Sequence, residues 1–207
     1  MSRARHDSPR GVPPALPVVL GSGSAYRREL LSRLLARFDV VVPAVDEAAV
    51  PGEPAPALAR RLANLKAATV AAVRPDAIVI GSDQVAECAG RILGKPGSAD
   101  RAREQLRLCS GHELRLHTAA CMIAPSGSPP PQAHLDLTVL RFRRLSDEQI
   151  RAYVDRDQPL DCAGSFRFEA LGAALFESVQ TQDPTAIQGL PLLWLATALE
   201  RAGVGIL

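Results

Sequence analysis

Ala77-Ile78-Val79-Ile80-Gly81-Ser82-Asp83-Gln84-Val85 is the stretch on which the fold class turns. Its isoleucine- and valine-rich start predicts a short strand of the buried type over Ala77–Ile80. Gly81-Ser82-Asp83 then falls immediately beyond the carboxyl end of that strand, where polar residues are natural site residues in open α/β sheets. Toward the amino terminus, Leu58, Leu62, Leu65, Thr69 and Val73 recur at helical spacing. Before them come a Pro/Ala-rich connection, Asp46-Glu47, and a β-like run over Val40–Val42 that ends in Pro43. Farther out, the apolar run Ala15–Leu20 stops at Gly21-Ser22-Gly23-Ser24, and Leu30, Leu31, Leu34, Leu35 and Phe38 follow at helical spacing. That reads as strand, tight loop, helix.

Toward the carboxyl terminus, Val85–Glu87 and Arg91–Leu93 flank Ala89-Gly90 as a hairpin that leads into Gly94-Lys95-Pro96. Ser98 caps a helix running through Cys109, and Gly111 ends it. Leu114–Ala124 and His134–Phe142 read as long antiparallel strands joined by the Pro/Ser/Gly loop 125–131. Ser146-Asp147-Glu148-Gln149 has the form of a capping box for a helix ending near Asp155. A loop around Ala163-Gly164-Ser165-Phe166, a last strand near Ala173–Val179, Gly189-Leu190-Pro191 and a terminal helix closed by Gly203 complete the chain. Strands and helices interleave with hairpins, so the expected class is α/β with a mixed sheet.

A chain of 207 residues with 47% hydrophobic content buries one substantial core. The expected organisation is an N-terminal extension without order over 1–14 and a single domain over 15–207. The extension carries Arg3, Arg5 and Arg10 but no apolar run of the kind a signal peptide needs. With 24 basic and 22 acidic residues the net charge is +2, so no global field exists to hold a nucleic acid. Any phosphate chemistry must rest on local clusters. An aromatic content of 4% also argues against a stacking platform for single strands. No eighteen apolar residues run together, which argues against a spanning helix or a membrane partner. Cys88, Cys109, Cys121 and Cys162 have neither zinc spacing nor the pattern of a disulfide framework, and a reduced, cytoplasmic setting fits them best.

The candidate chemistry lies in four places. Ser22, Ser24, Arg27 and Arg28 gather where a strand turns into a helix, and read either as a phosphate cradle or as a capped turn with two solvated arginines. The stretch from Gly21 is not a dinucleotide fingerprint, because Tyr26 stands where the third glycine would be. Asp83 reads as a Mg²⁺ carboxylate or as a turn residue, with Asp46 or Glu47 as its second carboxylate. Lys95 lies in a rigid setting but not in a P-loop, and Lys66 sits near an apolar stripe where a snorkelling lysine is the usual explanation. His112 and His117 read as structural.

Together these blocks form a pattern. Leu20-Gly-Ser-Gly-Ser-Ala-Tyr-Arg-Arg-Glu-Leu-Leu31 resembles the opening motif of the Maf family, and Val45-Asp46-Glu47 its acidic step. Arg61-Leu-Ala-Asn-Leu-Lys66-Ala resembles the family's helix motif, Ile80-Gly-Ser-Asp83-Gln84-Val its central acidic turn, and Gly94-Lys95-Pro96 its lysine turn. Agreement continues through Ser110-Gly111 to Thr118, Tyr153-Val154, Ala163-Gly164-Ser165-Phe166 and Val179 to Gly189-Leu190-Pro191, so the resemblance spans about residues 17–203.

The resemblance implies a mixed twisted sheet flanked by helices, with two lobes around a central cleft, as in inosine-triphosphatase-like folds. It implies hydrolysis of a nucleoside triphosphate to the monophosphate and pyrophosphate with Mg²⁺ or Mn²⁺. Carried over residue by residue, Asp83, Lys66 and Lys95 take catalytic roles, and Asp83, Glu47 and Asp46 are the metal carboxylates. Ser24, Arg27 and Arg28 line the triphosphate. The partner is a small-molecule nucleotide, and a homodimer is left open.

Three departures from the family pattern, Tyr26, Gln84 and Glu169, resemble the set that marks the 7-methyl-GTP branch and stand as its substrate-binding residues. N7-methylation makes guanine cationic, and a tyrosine face together with a carboxylate suits a cation. The rival expectations are a dTTP/UTP pyrophosphatase of the same family and a nucleotide-binding regulator of septum formation.

Overall fold

The computed structural model describes residues 16–125 and 129–207, so the extension expected over 1–14 and the middle of the loop expected over 125–131 lie outside the described residues. The strand that starts the central motif does not stop at Ile80. It continues through Gly81-Ser82-Asp83 and ends at Cys88, 11 residues in all. The polar residues that look like a turn stay in the strand because each finds a partner there. The chain order is β1 (Val18–Gly21), α1 (Ala25–Ser32), β2 (Asp39–Val40), α2 (Ala55–Val73), β3 (Ile78–Cys88), β4 (Arg91–Leu93), α3 (Ala99–Cys109), β5 (Glu113–Ile123), β6 (Gln132–Phe142), α4 (Asp147–Asp157), β7 (Phe176–Gln180) and α5 (Leu192–Arg201). Short 3₁₀ helices occupy Leu171–Leu175 and Pro184–Gln188. The first of them takes the start of the strand expected from Ala173, and α1 ends at Ser32, short of the expected Phe38.

All seven strands among the described residues form one mixed sheet in the order β2-β1-β3-β5-β6-β7, with β4 paired to β3. β1 runs parallel to β2 and β3, whereas β3, β5, β6 and β7 are antiparallel neighbours. Side chains alternate between the two faces. On one face α2 lies along the sheet, with Val70 against Val19 and Val79, and Leu58 and Leu62 against Val85 and Ala119.

The opposite face is covered by two separate groups of helices. Leu30 and Leu31 of α1 and Leu195 and Leu199 of α5 pack on Leu20, Ile78, Ile80 and Met122 at one end. Leu106 of α3 and Ile150 and Val154 of α4 pack on Ala86, Leu114, Leu116, Leu140 and Phe142 at the other. These are the two lobes, and the 3₁₀ turn Pro184–Gln188 is pinned between them by Gln84, whose Nε2 donates to Ala186 O at 2.8 Å. No described helix is long and apolar enough to cross a membrane.

Two local features position the site. A Cβ on Gly81 would stand 2.4 Å from Ala63 O and 2.5 Å from Ala67 N, so only glycine lets α2 approach β3 this closely. The pairing of β3 also has a gap. β1 pairs with it up to Gly21↔Gly81 and β4 starts at Ala86↔Leu93, so Ser82–Val85 have a neighbour on the β5 side only. The carboxyl ends of β1 and β4 point into this gap from opposite directions.

Candidate active site

Asp83 stands in the gap with its side chain toward α2, and Lys66 of α2 meets it there. Lys66 Nζ lies 2.6 Å from Asp83 Oδ1 and 2.7 Å from Glu47 Oε1, so one ammonium bridges two carboxylates from separate segments. The Lys66 and Asp83 side chains are 7% and 9% exposed, while Glu47 is 60% exposed and marks the open side. Burying a lysine is costly unless it is paired. Here pairing, not snorkelling, accounts for its place.

Glu47 is held by its own loop. Arg61 of α2 grips Glu53 with Nε at 2.7 Å and Nη2 at 2.8 Å, and donates from Nη2 to Ala48 O at 2.9 Å, which ties the segment after Glu47 to the helix. The two Arg61–Glu53 hydrogen bonds hold the Glu53 carboxyl down at about 2. The Arg61–Glu53 pair has no signature in the sequence as a positioning device, because its spacing crosses the boundary between loop and helix.

The cationic side of the cluster comes from the end of β1. Ser24 is the N-cap of α1 and accepts from Arg27 N at 3.3 Å. Arg27 folds back over the cap, with Nε donating to Gly189 O at 2.9 Å and Nη1 to Ser22 Oγ at 3.2 Å. Desolvation pulls its guanidinium below the ordinary arginine value, and the nearby charges of Asp83 and Glu47 oppose that pull. Ser82 Oγ also donates to Gly189 O at 2.8 Å, so one carbonyl joins α1, β3 and the chain before α5. Gly189 has φ of +100°, a conformation that favours glycine. Ser82 belongs to the polar Gly81-Ser82-Asp83 stretch expected at a site, and the structure gives it the task of tying that stretch to Gly189.

The other expected residues divide. Arg28 is exposed on α1. Lys95 is exposed, makes no ion pair among the described residues, and lies two residues past the end of β4 at Leu93. Asp46 is not joined to the cluster, because its Oδ1 accepts from Ala48 N at 2.9 Å in a local turn. Gln84 follows Asp83 along the strand and so points to the opposite face. There its Nε2 is occupied by Thr118 Oγ1, Ala186 O and Ile187 O at 2.9, 2.8 and 3.1 Å. His117 pairs with Glu87 at 3.2 Å and His112 meets Ser110 O at 3.0 Å, neither of them at the cluster.

Tyr26 lies on the lobe of α1 and reaches across to the loop after α4, where its hydroxyl is 3.6 Å from Cys162 Sγ. Burial, with help from Cys162, pushes the Tyr26 hydroxyl well above its ordinary value. Glu169 sits on the same loop with Arg167, whose Nε is 3.7 Å from Glu169 Oε1.

The charges in the cluster nearly balance: Asp83 and Glu47 against Lys66 and Arg27. A polyphosphate entering here needs further positive charge. Asp83 Oδ2 and Glu47 Oε2 make no hydrogen bond among the described residues, and two hard carboxylate oxygens are the kind of donor that suits a small divalent cation. No group of three or more His, Cys, Asp or Glu side chains is arranged to hold a metal among the described residues, so the protein alone supplies no full cage.

A family model described as Maf-like protein matches residues 17–202. A 7-methyl-GTP pyrophosphatase of Xanthomonas axonopodis pv. citri is 52% identical over 91% of this chain and 98% of its own length. A 7-methyl-GTP pyrophosphatase of Bordetella pertussis is 48% identical over 92% of this chain and 96% of its own. Among solved structures, the Staphylococcus aureus Ham1 protein superposes with a TM-score of 0.51 at 15% identity, covering 89% of this chain and 99% of that one, a likeness of fold. The chain belongs to the Maf-like protein family.

Proposed function

We propose that this chain hydrolyses 7-methyl-GTP to 7-methyl-GMP and pyrophosphate, removing a modified nucleotide from the cellular pool, with Mg²⁺ or Mn²⁺ as its cofactor. The observation that carries the reading is the single Lys66 ammonium held between Asp83 and Glu47 at 2.6 and 2.7 Å, beside Arg27, in the gap of the sheet. The names of the relatives from Xanthomonas and Bordetella support the substrate. The free cysteines Cys88, Cys109, Cys121 and Cys162 support a reducing, cytoplasmic setting.

In this reading Ser24, Arg27, Arg28 and Lys95 grip the triphosphate tail and spread the charge that develops on pyrophosphate as it leaves. Asp83 accepts the proton of the water that attacks the α-phosphorus, and Lys66, 2.6 Å from its Oδ1, keeps that carboxylate oriented. Asp83 and Glu47 would hold the divalent cation, which would supply Lewis-acid charge to the phosphoryl oxygens. Tyr26 offers its face, and Glu169 its carboxylate, to the cationic methylated base. Gln84 enters as the residue that fixes the Pro184–Gln188 turn between the lobes, which shapes the base side of the cleft without touching the phosphates.

The test is a panel of 7-methyl-GTP, GTP, dTTP and UTP with pyrophosphate detection, with and without Mg²⁺. The expected result is the highest kcat/KM on 7-methyl-GTP, strict metal dependence, and pyrophosphate equal to the monophosphate formed. Fastest turnover of UTP or dTTP contradicts the roles given to Tyr26 and Glu169, and no turnover of any nucleotide contradicts the enzymatic reading.

A further inference from the structure

Across the cleft from α1, the loop between α4 and β7 holds a charged group that the phosphate chemistry does not use. Arg167 extends from this loop between Glu169 and the end of α4. Its Nη1 donates to Asp157 O at 3.3 Å, and its backbone N–H donates to Tyr153 Oη at 3.0 Å. The tether at Nη1 leaves Nε just out of reach of Glu169, 3.7 Å from Oε1 and beyond hydrogen-bond distance. Nε is itself buried and has no acceptor among the described residues. A buried N–H without a partner is uncommon in a settled structure and calls for an explanation.

The surroundings supply one. Asp157, Asp161 and Glu169 all lie on or beside this loop, and Arg167 is the cation among them that faces Glu169. Arg167 also acts on Tyr26, opposing the burial and the Cys162 contact that push the tyrosine hydroxyl upward. Both groups that favour a cationic base therefore sit beside the same guanidinium. Because no hydrogen bond closes the pair, the Glu169 oxygens stay free to accept from a ligand while their charge is partly neutralised.

We propose that Arg167 is a specificity-determining residue that stands in for the cationic base at Glu169 and limits the preference for a methylated over an unmethylated purine. A cationic base has to share the carboxylate with this guanidinium, and like charges oppose each other across the site. A neutral guanine meets no such repulsion and still finds the Glu169 oxygens free. This inference rests on the functional reading given above.

The test compares kcat and KM for 7-methyl-GTP and GTP in the parent, Arg167→Gln and Arg167→Lys, at two salt concentrations. Arg167→Gln is expected to raise the ratio of kcat/KM values, 7-methyl-GTP over GTP, by about five-fold, the effect of one unit charge about 4 Å away in a water-like dielectric. The change falls mainly in KM for the methylated nucleotide and shrinks at high salt. Arg167→Lys keeps the positive charge and holds the ratio near that of the parent. An unchanged or lowered ratio in Arg167→Gln, or an equal shift in Arg167→Lys, overturns the assignment while the parent's preference stands. A parent with no preference for 7-methyl-GTP overturns the functional reading instead, and this assignment with it. Thermal melting of both variants separates a lost fold from a changed ratio: a rise in the ratio with Tm kept supports the role, and a rise only in a partly unfolded variant overturns it.

Discussion

Replacing Gly81 by alanine tests whether the close approach of α2 to β3 builds the catalytic contact. The added Cβ would meet Ala63 O at 2.4 Å and Ala67 N at 2.5 Å, and both are backbone atoms of α2 that no side-chain rotation can move aside. Ordinary contact requires α2 to retreat by about 1 Å. Lys66 stands on the same turn of the helix, so the same displacement stretches its 2.6 Å contact with Asp83 past hydrogen-bond reach unless the lysine stem adjusts. Overpacking of this size costs about 1–3 kcal/mol of stability, and a 1 Å misplacement of a catalytic group costs on the order of 100-fold in rate. The expected result is a lower Tm together with a kcat on 7-methyl-GTP reduced by about 100-fold. Gly205→Ala, where the added Cβ meets nothing within 4 Å, serves as the control and changes neither. The assays are pyrophosphate release under saturating substrate and thermal unfolding followed by far-ultraviolet circular dichroism. A Gly81→Ala protein with parental kcat and parental Tm would refute the argument that this glycine sets the site.

Two further perturbations probe the two ends of the substrate. Lys66→Met leaves Asp83 and Glu47 facing each other without their shared cation; turnover is expected to fall by about 100-fold, and Mn²⁺, measured by calorimetry without nucleotide, to bind more tightly because a nearby positive charge is gone. Weaker Mn²⁺ binding would count against the placement of the cation at these two carboxylates. Glu169→Gln is expected to lower the preference for 7-methyl-GTP over GTP by about 10-fold through the loss of a charge-assisted contact, read from the ratio of kcat/KM values. Equal discrimination in mutant and parent would remove Glu169 from base recognition.

Much of the fold is legible in the sequence because its signals are local. Ser146 and Gln149 form the reciprocal capping box at the start of α4, with hydrogen bonds of 2.9 and 3.2 Å. Ala89-Gly90 turns the β3–β4 hairpin with both residues at positive φ. The long strand read over His134–Phe142 is β6, Gln132–Phe142. Misreadings arise where tertiary contacts override local preference. Gly81, Ser82 and Asp83 have turn-like composition, yet α2, Gly189 O and Lys66 hold them in an extended strand. Lys66 reads as a surface lysine from its neighbours, because the carboxylates that bury it lie 17 and 19 positions away in the chain, on a strand and on a loop. Asp46 and Glu47 are indistinguishable by composition, and only the turn at Ala48 N shows which of them faces the cluster. Gln84 lies next to Asp83, but strand alternation sends it to the other face, a consequence hidden as long as Asp83 is read as part of a turn. The Arg61–Glu53 clamp and the Arg167 tether escape the sequence altogether, because neither forms a motif.

The account depends most on the carboxylate in the gap of the sheet. Asn at position 83 keeps the size and the acceptor oxygen of the native side chain, so Lys66 retains a partner and the fold is expected to persist, but the group that takes a proton from water is lost. The decisive measurement is the amount of 7-methyl-GMP and pyrophosphate formed from 7-methyl-GTP by purified Asp83→Asn with Mg²⁺ present. A fall of about 1,000-fold from the parent, in a protein that melts cooperatively, is the predicted result. Product formation at the parental rate by that folded variant would contradict the account.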